Sequence, residues 1–181
     1  LDPVRHLGNR SSGRMGYALA EAARDYGARV TLITAPTGLP TVYGVETVPV
    51  RTAAEMHDAI MARLDETDVL IMAAAVADYR PAHMAEHKIK KRDGALTLEL
   101  ERTVDILAAV AARRAGALDG KVIVGFAAET ENLLENARDK LRRKRLDLLV
   151  ANDVSASDSG FEVATNRVTL LTPDGGQEPL P

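Results

Sequence analysis

A chain of 181 residues with 46% hydrophobic and 27% charged side chains can bury one good core, which argues against two independent domains. The absence of cysteine excludes a disulfide framework, a thiolate metal site and a cysteine nucleophile, and suits a cytoplasmic protein. A net charge of −3 gives no global attraction to nucleic acid, and no apolar run reaches the roughly 18 residues of a membrane span, so neither is expected as a partner and any anion site must be local.

The opening "LDPVRHLGNR" lacks the apolar core of a secretory signal, so the sequon formed by Asn9, Arg10 and Ser11 is expected to be idle. Next, Met15, Ala18, Leu19, Ala22, Ala23 and Tyr26 recur at helical spacing, Gly27 ends the helix, and "RVTLIT" reads as a strand. "VETVPV" leads to a helix opened by a capping box at Thr52 and Glu55, with Met56, Ile60 and Leu64 on its inner face. "DVLIMAAAVAD" follows as a strand, then "TVDILAAVAARRAG" as a helix, "KVIVGFAAE" as a strand, "TENLLENARDKLRRKR" as a helix and "LDLLVAND" as a strand. The apolar strands are continuous rather than alternating, which predicts burial on both faces. The expected fold is therefore α/β, a doubly wound Rossmann-like parallel sheet with helices on both faces. "ALTLEL", after the basic "KIKKRDG", alternates like a hairpin arm, giving a basic flap over roughly residues 79–100, and "NRVTLLTPDGG" reads as an edge hairpin. A helix mouth like "NRSSGRMG" ordinarily follows a buried strand and a tight loop. Only eight residues precede Asn9 and none reads as a strand, so the first strand is expected to be missing.

That helix mouth offers free backbone amides, the hydroxyls of Ser11 and Ser12, and the positive end of a dipole. Gly13 and Gly16 permit close approach, which suits a phosphate or carboxylate as well as plain serine capping. In open parallel sheets ligands sit beyond the carboxyl ends of the strands. "AAAVADYRP" leaves the sheet through small residues and presents Asp78; "VGFAAET" ends with Phe126 and Glu129; "VANDVS" ends with Asn152 and Asp153. Each alone also reads as a cap or turn. Lys88, Lys90, Lys91 and Arg92 cluster in the flap, where cations can close over a polyphosphate. In the run Arg138, Lys140, Arg142, Arg143, Lys144 and Arg145, Lys140 and Lys144 are one turn apart and share a face, so both can meet one anion while the arginines stay solvated. His83 to His87 matches an H-x-x-E-H zinc pattern, but it follows a proline without a third ligand or a convincing helix, so no zinc site is expected.

A nicotinamide-dependent, NAD(P)-binding reductase is the first alternative, given the architecture. However, no Tyr has a Lys four residues on, and no acidic residue ends "RVTLIT" to hold a ribose. A nucleic-acid-binding module is the second, and its six scattered aromatics form no stacking platform.

Taken together, "DPVRHLGNRSSGRMG", "AAAVADYRP" followed by "KIKK", "VGFAAET" and "LVANDVS" closely resemble the phosphopantothenoylcysteine synthetase family. This is the carboxyl-terminal half of the bacterial bifunctional decarboxylase/synthetase in the DNA/pantothenate metabolism flavoprotein family, and the likeness covers nearly all of residues 1–181 as a single synthetase domain. It implies a CTP-dependent ligase of coenzyme A biosynthesis, joining 4'-phosphopantothenate to L-cysteine through an acyl-cytidylate, with Mg2+ accompanying CTP. By residue match it implies catalytic roles for Asn9, orienting the acyl-cytidylate, and Lys88, neutralising charge at the phosphoryl centre. Nucleotide contacts are implied for Ala74, Ala75, Asp78, Lys88, Phe126, Lys140 and Lys144, and substrate or anion contacts for Arg5, Asn9, Ser11, Ser12 and Gly13. Where the family usually shows "KNPDI", this chain reads "RTVDI" and keeps Asp105 and Ile106, so the implied backbone contact to the nucleotide falls on Val104, Asp105, Ile106 and Leu107. The likeness further implies a homodimer, fusion to a flavin-dependent decarboxylase domain and no flavin in this one. It identifies no metal ligands.

Overall fold

The structure, a computed structural model, describes residues 1–9, 11–91, 93–117, 120–129, 133–153 and 167–180. Arg10, Arg92, Thr130, Val154 and Ser155, each part of a motif quoted above, lie outside the described residues. In chain order the elements are α1 (Arg14–Asp25), β1 (Thr31–Thr34), β2 (Glu46–Pro49), α2 (Ala53–Met61), a 3-10 turn (Leu64–Glu66), β3 (Val69–Met72) and β4 (Tyr79–Pro81). They continue with β5 (Leu100–Arg102), α3 (Ile106–Ala117), β6 (Val122–Glu129), α4 (Leu133–Arg143), β7 (Leu148–Asp153), β8 (Val168–Leu171) and β9 (Gln177–Leu180).

The expected α/β architecture is present, with its parallel ladders in two groups. β1 pairs in parallel with β2, while β3, β6 and β7 form the parallel part of a five-stranded sheet of order β3-β6-β7-β8-β9. The outer edges of β1 and β3 have no ladder partner among the described residues. The antiparallel pair β8–β9 is the expected edge hairpin, with Pro179 opposite Thr169 in the outermost strand. β4 and β5 pair antiparallel as the stem of the flap, Tyr79 opposite Arg102 and Pro81 opposite Leu100.

The crossovers β3–α3–β6 and β6–α4–β7 join parallel neighbours, so right-handed connection puts α3 and α4 over the same face. Burial agrees, because Ile123, Ala127 and Leu149 on one side are buried with Leu107, Val110, Ala137 and Leu141. The opposite face behaves differently at β3. The continuous run "LIMAAAV" predicts burial on both faces, yet Val69, Ile71 and Val122, which share a side in this register, are exposed. β3 is an edge strand here, and its apolar continuity outruns the cover available to it. Deeper in the sheet, Val124 and Val150 are buried as expected.

α2 begins as expected. The Glu55 amide donates to Thr52 Oγ1 at 3.1 Å, while the Glu55 carboxylate reaches back to the amide of Arg51 at 2.8 Å, one residue beyond the usual partner. Met56, Ile60 and Leu64 are buried, as their spacing predicts. α1 needs a correction. Only Ala20 is fully buried in it; Met15, Leu19 and Ala23 of the predicted stripe are half-buried, but Ala18 and Ala22 are exposed and Tyr26 is 95% exposed, so the inner stripe is narrower than predicted and shifted toward Ala20. A helical period shows that a stripe exists, but the neighbour, here β1, decides which flank is covered. Gly27 ends α1 at φ 88°, its amide bonding the Arg24 carbonyl at 2.8 Å.

Close packing of Leu146, between α4 and β7, on β6 depends on Gly125. A Cβ built there would lie 2.6 Å from Leu146 Cδ1 and 3.6 Å from Leu107 Cδ1. Gly125→Ala should therefore lower unfolding free energy by about 1–3 kcal/mol, measured as a reduced urea midpoint at unchanged m-value. An unchanged midpoint would mean that Leu146 can swing aside without cost.

Candidate functional site

The segment leaving β3, residues 73–78, carries the small residues that sequence reading placed at a ligand edge. Asn9 is tied to it, with Asn9 Nδ2 donating to the carbonyls of Ala75 at 3.1 Å and Val76 at 3.2 Å. The amide donor is thereby engaged and Asn9 Oδ1 is left as the acceptor. Further along, Thr103 Oγ1 donates to the Ala77 carbonyl at 2.6 Å, and the Thr103 amide donates to that of Asp78 at 2.9 Å. This joins "VAD" to "RTVDI".

Asp105 then caps α3, its Oδ1 accepting from the Ala108 amide at 2.9 Å and its backbone carbonyl from Ala109 at 3.0 Å. The same carboxylate takes the ammonium of Lys144, and Lys140 Nζ donates to the Phe126 carbonyl at 2.7 Å. Burial pushes the Asp105 carboxyl up. The Lys144 hydrogen bond, the Ala108 amide, and the charges of Lys144 and Lys140 outweigh it and hold the group below the usual carboxylate range. Asn9, Ala75 and Asp78 thus lie at the exit of β3, Asp105 with Lys144 at the start of α3, and Lys140 on Phe126 within β6, three hydrogen-bonded groups that make up the candidate rim. Lys140 and Lys144 are half-buried while Arg138, Arg142, Arg143 and Arg145 are exposed, matching the predicted division of that basic run.

The helix mouth borders the rim. Gly13 adopts φ 76°, a Cβ there would lie 2.9 Å from Thr37 Cγ2, and α1 has no side-chain cap. Ser11 and Ser12 are exposed, and the nearest approach to capping is a long 3.4 Å contact from the Arg14 amide to Ser12 Oγ. Amides left uncapped at a positive dipole end suit an anion.

The remaining expected residues divide by position. Ala74, Asp78 and Val104 are exposed, whereas the side chains of Ile106 and Leu107 are in the core, which leaves only their backbone to face a ligand. Lys88 is exposed in the flap and makes no ion pair among the described residues. Arg5 folds back on Asp2, with Nη2 to Oδ2 at 2.6 Å, and reaches the flap carbonyl of Ile89 at 2.8 Å. Glu129 and Asp153 are register partners at the last rung of the β6–β7 ladder. A groove of about 460 Å³ between α1 and residues 39–43 contains none of these residues.

Sequence reading assigned no role to Asp2 or Thr103. For Asp2 a signal existed, since Asp before Pro starts turns and an Arg three residues on can close one. For Thr103 there was none, because its partners come from a strand exit 26 positions away.

A family model for the DNA/pantothenate metabolism flavoprotein C-terminal domain matches residues 1–181. The chain belongs to this family. Among its relatives, the coenzyme A biosynthesis bifunctional protein CoaBC of Bacillus subtilis is 48% identical over 182 residues, covering 100% of this chain and 44% of that protein. The Mycobacterium bovis protein of the same name is 50% identical over 188 residues, covering 99% and 45%. The chain therefore spans less than half the length of these bifunctional relatives. A crystal structure of the C-terminal domain of CoaBC matches with TM-score 0.81 and 42% identity, covering 99% of this chain and 79% of that one. The DNA/pantothenate metabolism flavoprotein from Streptococcus pneumoniae also matches with TM-score 0.81, over 99% of this chain and 86% of that one; at 21% identity it shares the fold alone. Among the described residues no helix is long and apolar enough to cross a membrane.

The Asp105–Lys144 pair makes a pH-dependent contribution to stability. A depressed folded-state pKa stabilises the fold above the unfolded value of 3.8, and this is lost as pH falls through the lower folded value. Asp105→Asn should cost about 0.5–1 kcal/mol near neutrality, since the carboxylate is largely exposed. Urea titrations at several pH values should show the gap to the parent closing below the ordinary carboxylate pKa. A gap constant with pH would assign the cost to capping alone.

Proposed function

We propose that this domain is a CTP-dependent ligase of coenzyme A biosynthesis that joins 4'-phosphopantothenate to L-cysteine. The observation that carries this reading is the rim itself, where the Asn9 amide is bonded to the exit of β3 in a chain whose relatives are coenzyme A biosynthesis proteins. In the first step the pantothenate carboxylate attacks the α-phosphate of CTP, forming the acyl-cytidylate and releasing pyrophosphate. In the second, the cysteine amine attacks the acyl carbon, CMP leaves and the amine proton is lost. Overall, one carboxylate and one amine become an amide at the expense of CTP.

The residues divide the work by their chemistry. The α1 mouth, with Ser11, Ser12 and Gly13, presents amides and hydroxyls to an anionic group. The small residues Ala74, which is exposed, and Ala75, with Asp78 and Phe126, suit the nucleoside, and Lys140 and Lys144 supply cations. Lys88, a free cation on the flap, supplies charge to the phosphoryl centre as negative charge develops. Asn9, held through its nitrogen, keeps Oδ1 to orient the acyl-cytidylate for its conversion, while Arg5, kept on Asp2 through Nε and Nη2, has Nη1 for the substrate's anionic end.

No three His, Asp or Glu side chains gather into a metal site among the described residues. The residues present do not form a resident metal cage, and Mg2+ is treated as part of the nucleotide substrate, carried on its phosphates. The proposal includes no flavin in this domain. It includes a homodimer and, in keeping with the bifunctional relatives, fusion to a decarboxylase domain in the parent protein.

The test is pyrophosphate release with 4'-phosphopantothenate, Mg2+ and either CTP or ATP, with and without cysteine, alongside direct CTP binding. CTP-dependent release followed by cysteine-dependent CMP and amide formation is expected. Lys88→Gln should slow pyrophosphate release by about 10²–10³-fold, while Asn9→Asp should retain CTP binding and slow amide formation. Failure of the parent chain to bind CTP or release pyrophosphate would overturn the reading.

A further inference from the structure

Asp2 is the one buried charged residue among the described residues, 5% exposed as a residue and with its side chain fully covered. Five hydrogen bonds converge on its carboxylate. Oδ1 accepts from the amides of Val4 and Arg5, both at 2.9 Å; Oδ2 accepts from Arg5 Nε at 3.0 Å and Nη2 at 2.6 Å, and from the Ile89 amide at 3.1 Å. The Arg5 guanidinium continues to the Ile89 carbonyl at 2.8 Å, and the Leu1 carbonyl accepts from the Ala85 amide at 3.0 Å. Both backbone groups of one flap residue are therefore held by an ion pair from the other end of the chain.

Ile89 follows Lys88, and its N–H belongs to the planar peptide that also carries the Lys88 carbonyl. Fixing that plane fixes the Cα of Lys88. The surrounding flap offers little else to hold it, because Met84, Leu96, Leu98 and Leu100 are exposed and outside the main core. A buried charge is costly unless its partners are complete, so a carboxylate placed under an otherwise lightly packed segment contributes geometry rather than bulk stability.

We propose that Asp2 is a positioning residue for the ligase reaction, its carboxylate latching the flap at Ile89, directly and through Arg5, so that the backbone root of Lys88 is fixed. This rests on the ligase reading above and extends it to a residue that touches no substrate. Asp2→Asn places an amide group where Oδ2 accepts from Ile89 and removes the charge that holds Arg5, while leaving an oxygen for the Val4 and Arg5 amides.

Two measurements test it. Amide hydrogen exchange should show Ile89 losing protection in Asp2→Asn while α2, α4 and β6 keep theirs. Single-turnover pyrophosphate release should fall about 10- to 100-fold, the scale of a small misplacement of a reacting group, with CTP affinity little changed. A double-mutant cycle separates positioning from a general loss of structure. On a Lys88→Gln background, Asp2→Asn should cost no more than about twofold further, because the residue that it positions is already gone. The full loss on both backgrounds, or unchanged Ile89 protection in an active protein, would overturn the latch. A parent chain that releases no pyrophosphate would overturn the ligase reading and, with it, the catalytic role of the latch, whatever Ile89 exchange shows.

Discussion

Both edges of β6 are occupied by parallel neighbours, and its register against β7 is bolted at the start of the ladder by Asp147. The Asp147 amide donates to the Ile123 carbonyl at 2.9 Å, while its carboxylate accepts the Ile123 amide at 2.7 Å and the Arg114 guanidinium at 2.6 Å. Arg114 extends the tie to the carbonyl of Arg145, the non-glycine residue that ends α4 in the left-handed region at φ 49°. Burial alone would raise the Asp147 carboxyl, but Arg114 and Ile123 more than compensate and it is held below the usual range. A one-residue slip would turn every side chain of a strand to the other face. With the slip prevented at one end, Ala128 is held opposite Asn152 and Glu129 opposite Asp153 at the other. The candidate edge thus depends on an ion pair at the opposite end of the strands.

At that edge the cations are already engaged. Lys144 sits on Asp105, Lys140 on the Phe126 carbonyl and Arg5 on Asp2, so their side chains have been ordered before any ligand arrives. At Lys140 and Lys144 an anionic ligand would exchange one partner for another rather than immobilise a free lysine. Exchange of that kind reduces the entropic penalty of binding and gives up part of the Coulombic gain. On the flap, Lys88 makes no ion pair among the described residues, so it is fixed at its backbone and free at its tip.

Much of this was legible in the sequence where the signal was local. The Thr52–Glu55 box, the inner face of Met56, Ile60 and Leu64, the division of Lys140 and Lys144 from their arginine neighbours, and the terminal hairpin all depend on spacing within a few residues. The misread features depended on what lies opposite. α1 carries apolar residues around much of its circumference, so its period did not show which flank β1 would cover. β3 is apolar on both faces, but composition cannot show that one of them is left bare. The candidate site divides in the same way. Its strand ends and helix mouth follow from general rules of parallel sheets, whereas Asp2 and Thr103 act through partners 87 and 26 positions away. Residues such as Ile106 and Leu107 were placed at the rim by motif, and the structure shows their side chains facing the core, leaving only their backbone beside it.

β9 brings a different kind of consequence. All four of its residues are exposed, and Pro179, paired with Thr169 on its inner side, has no N–H to offer a further strand, while Glu178 adds a charge to the same edge. Proline and charge on an outer strand block it as a template for another chain. The hairpin is the outer edge of the sheet among the described residues and a guard against edge-to-edge aggregation. Any pairing of two copies on this flank is steered toward side-chain contacts instead of a continuous sheet running from one subunit into the next.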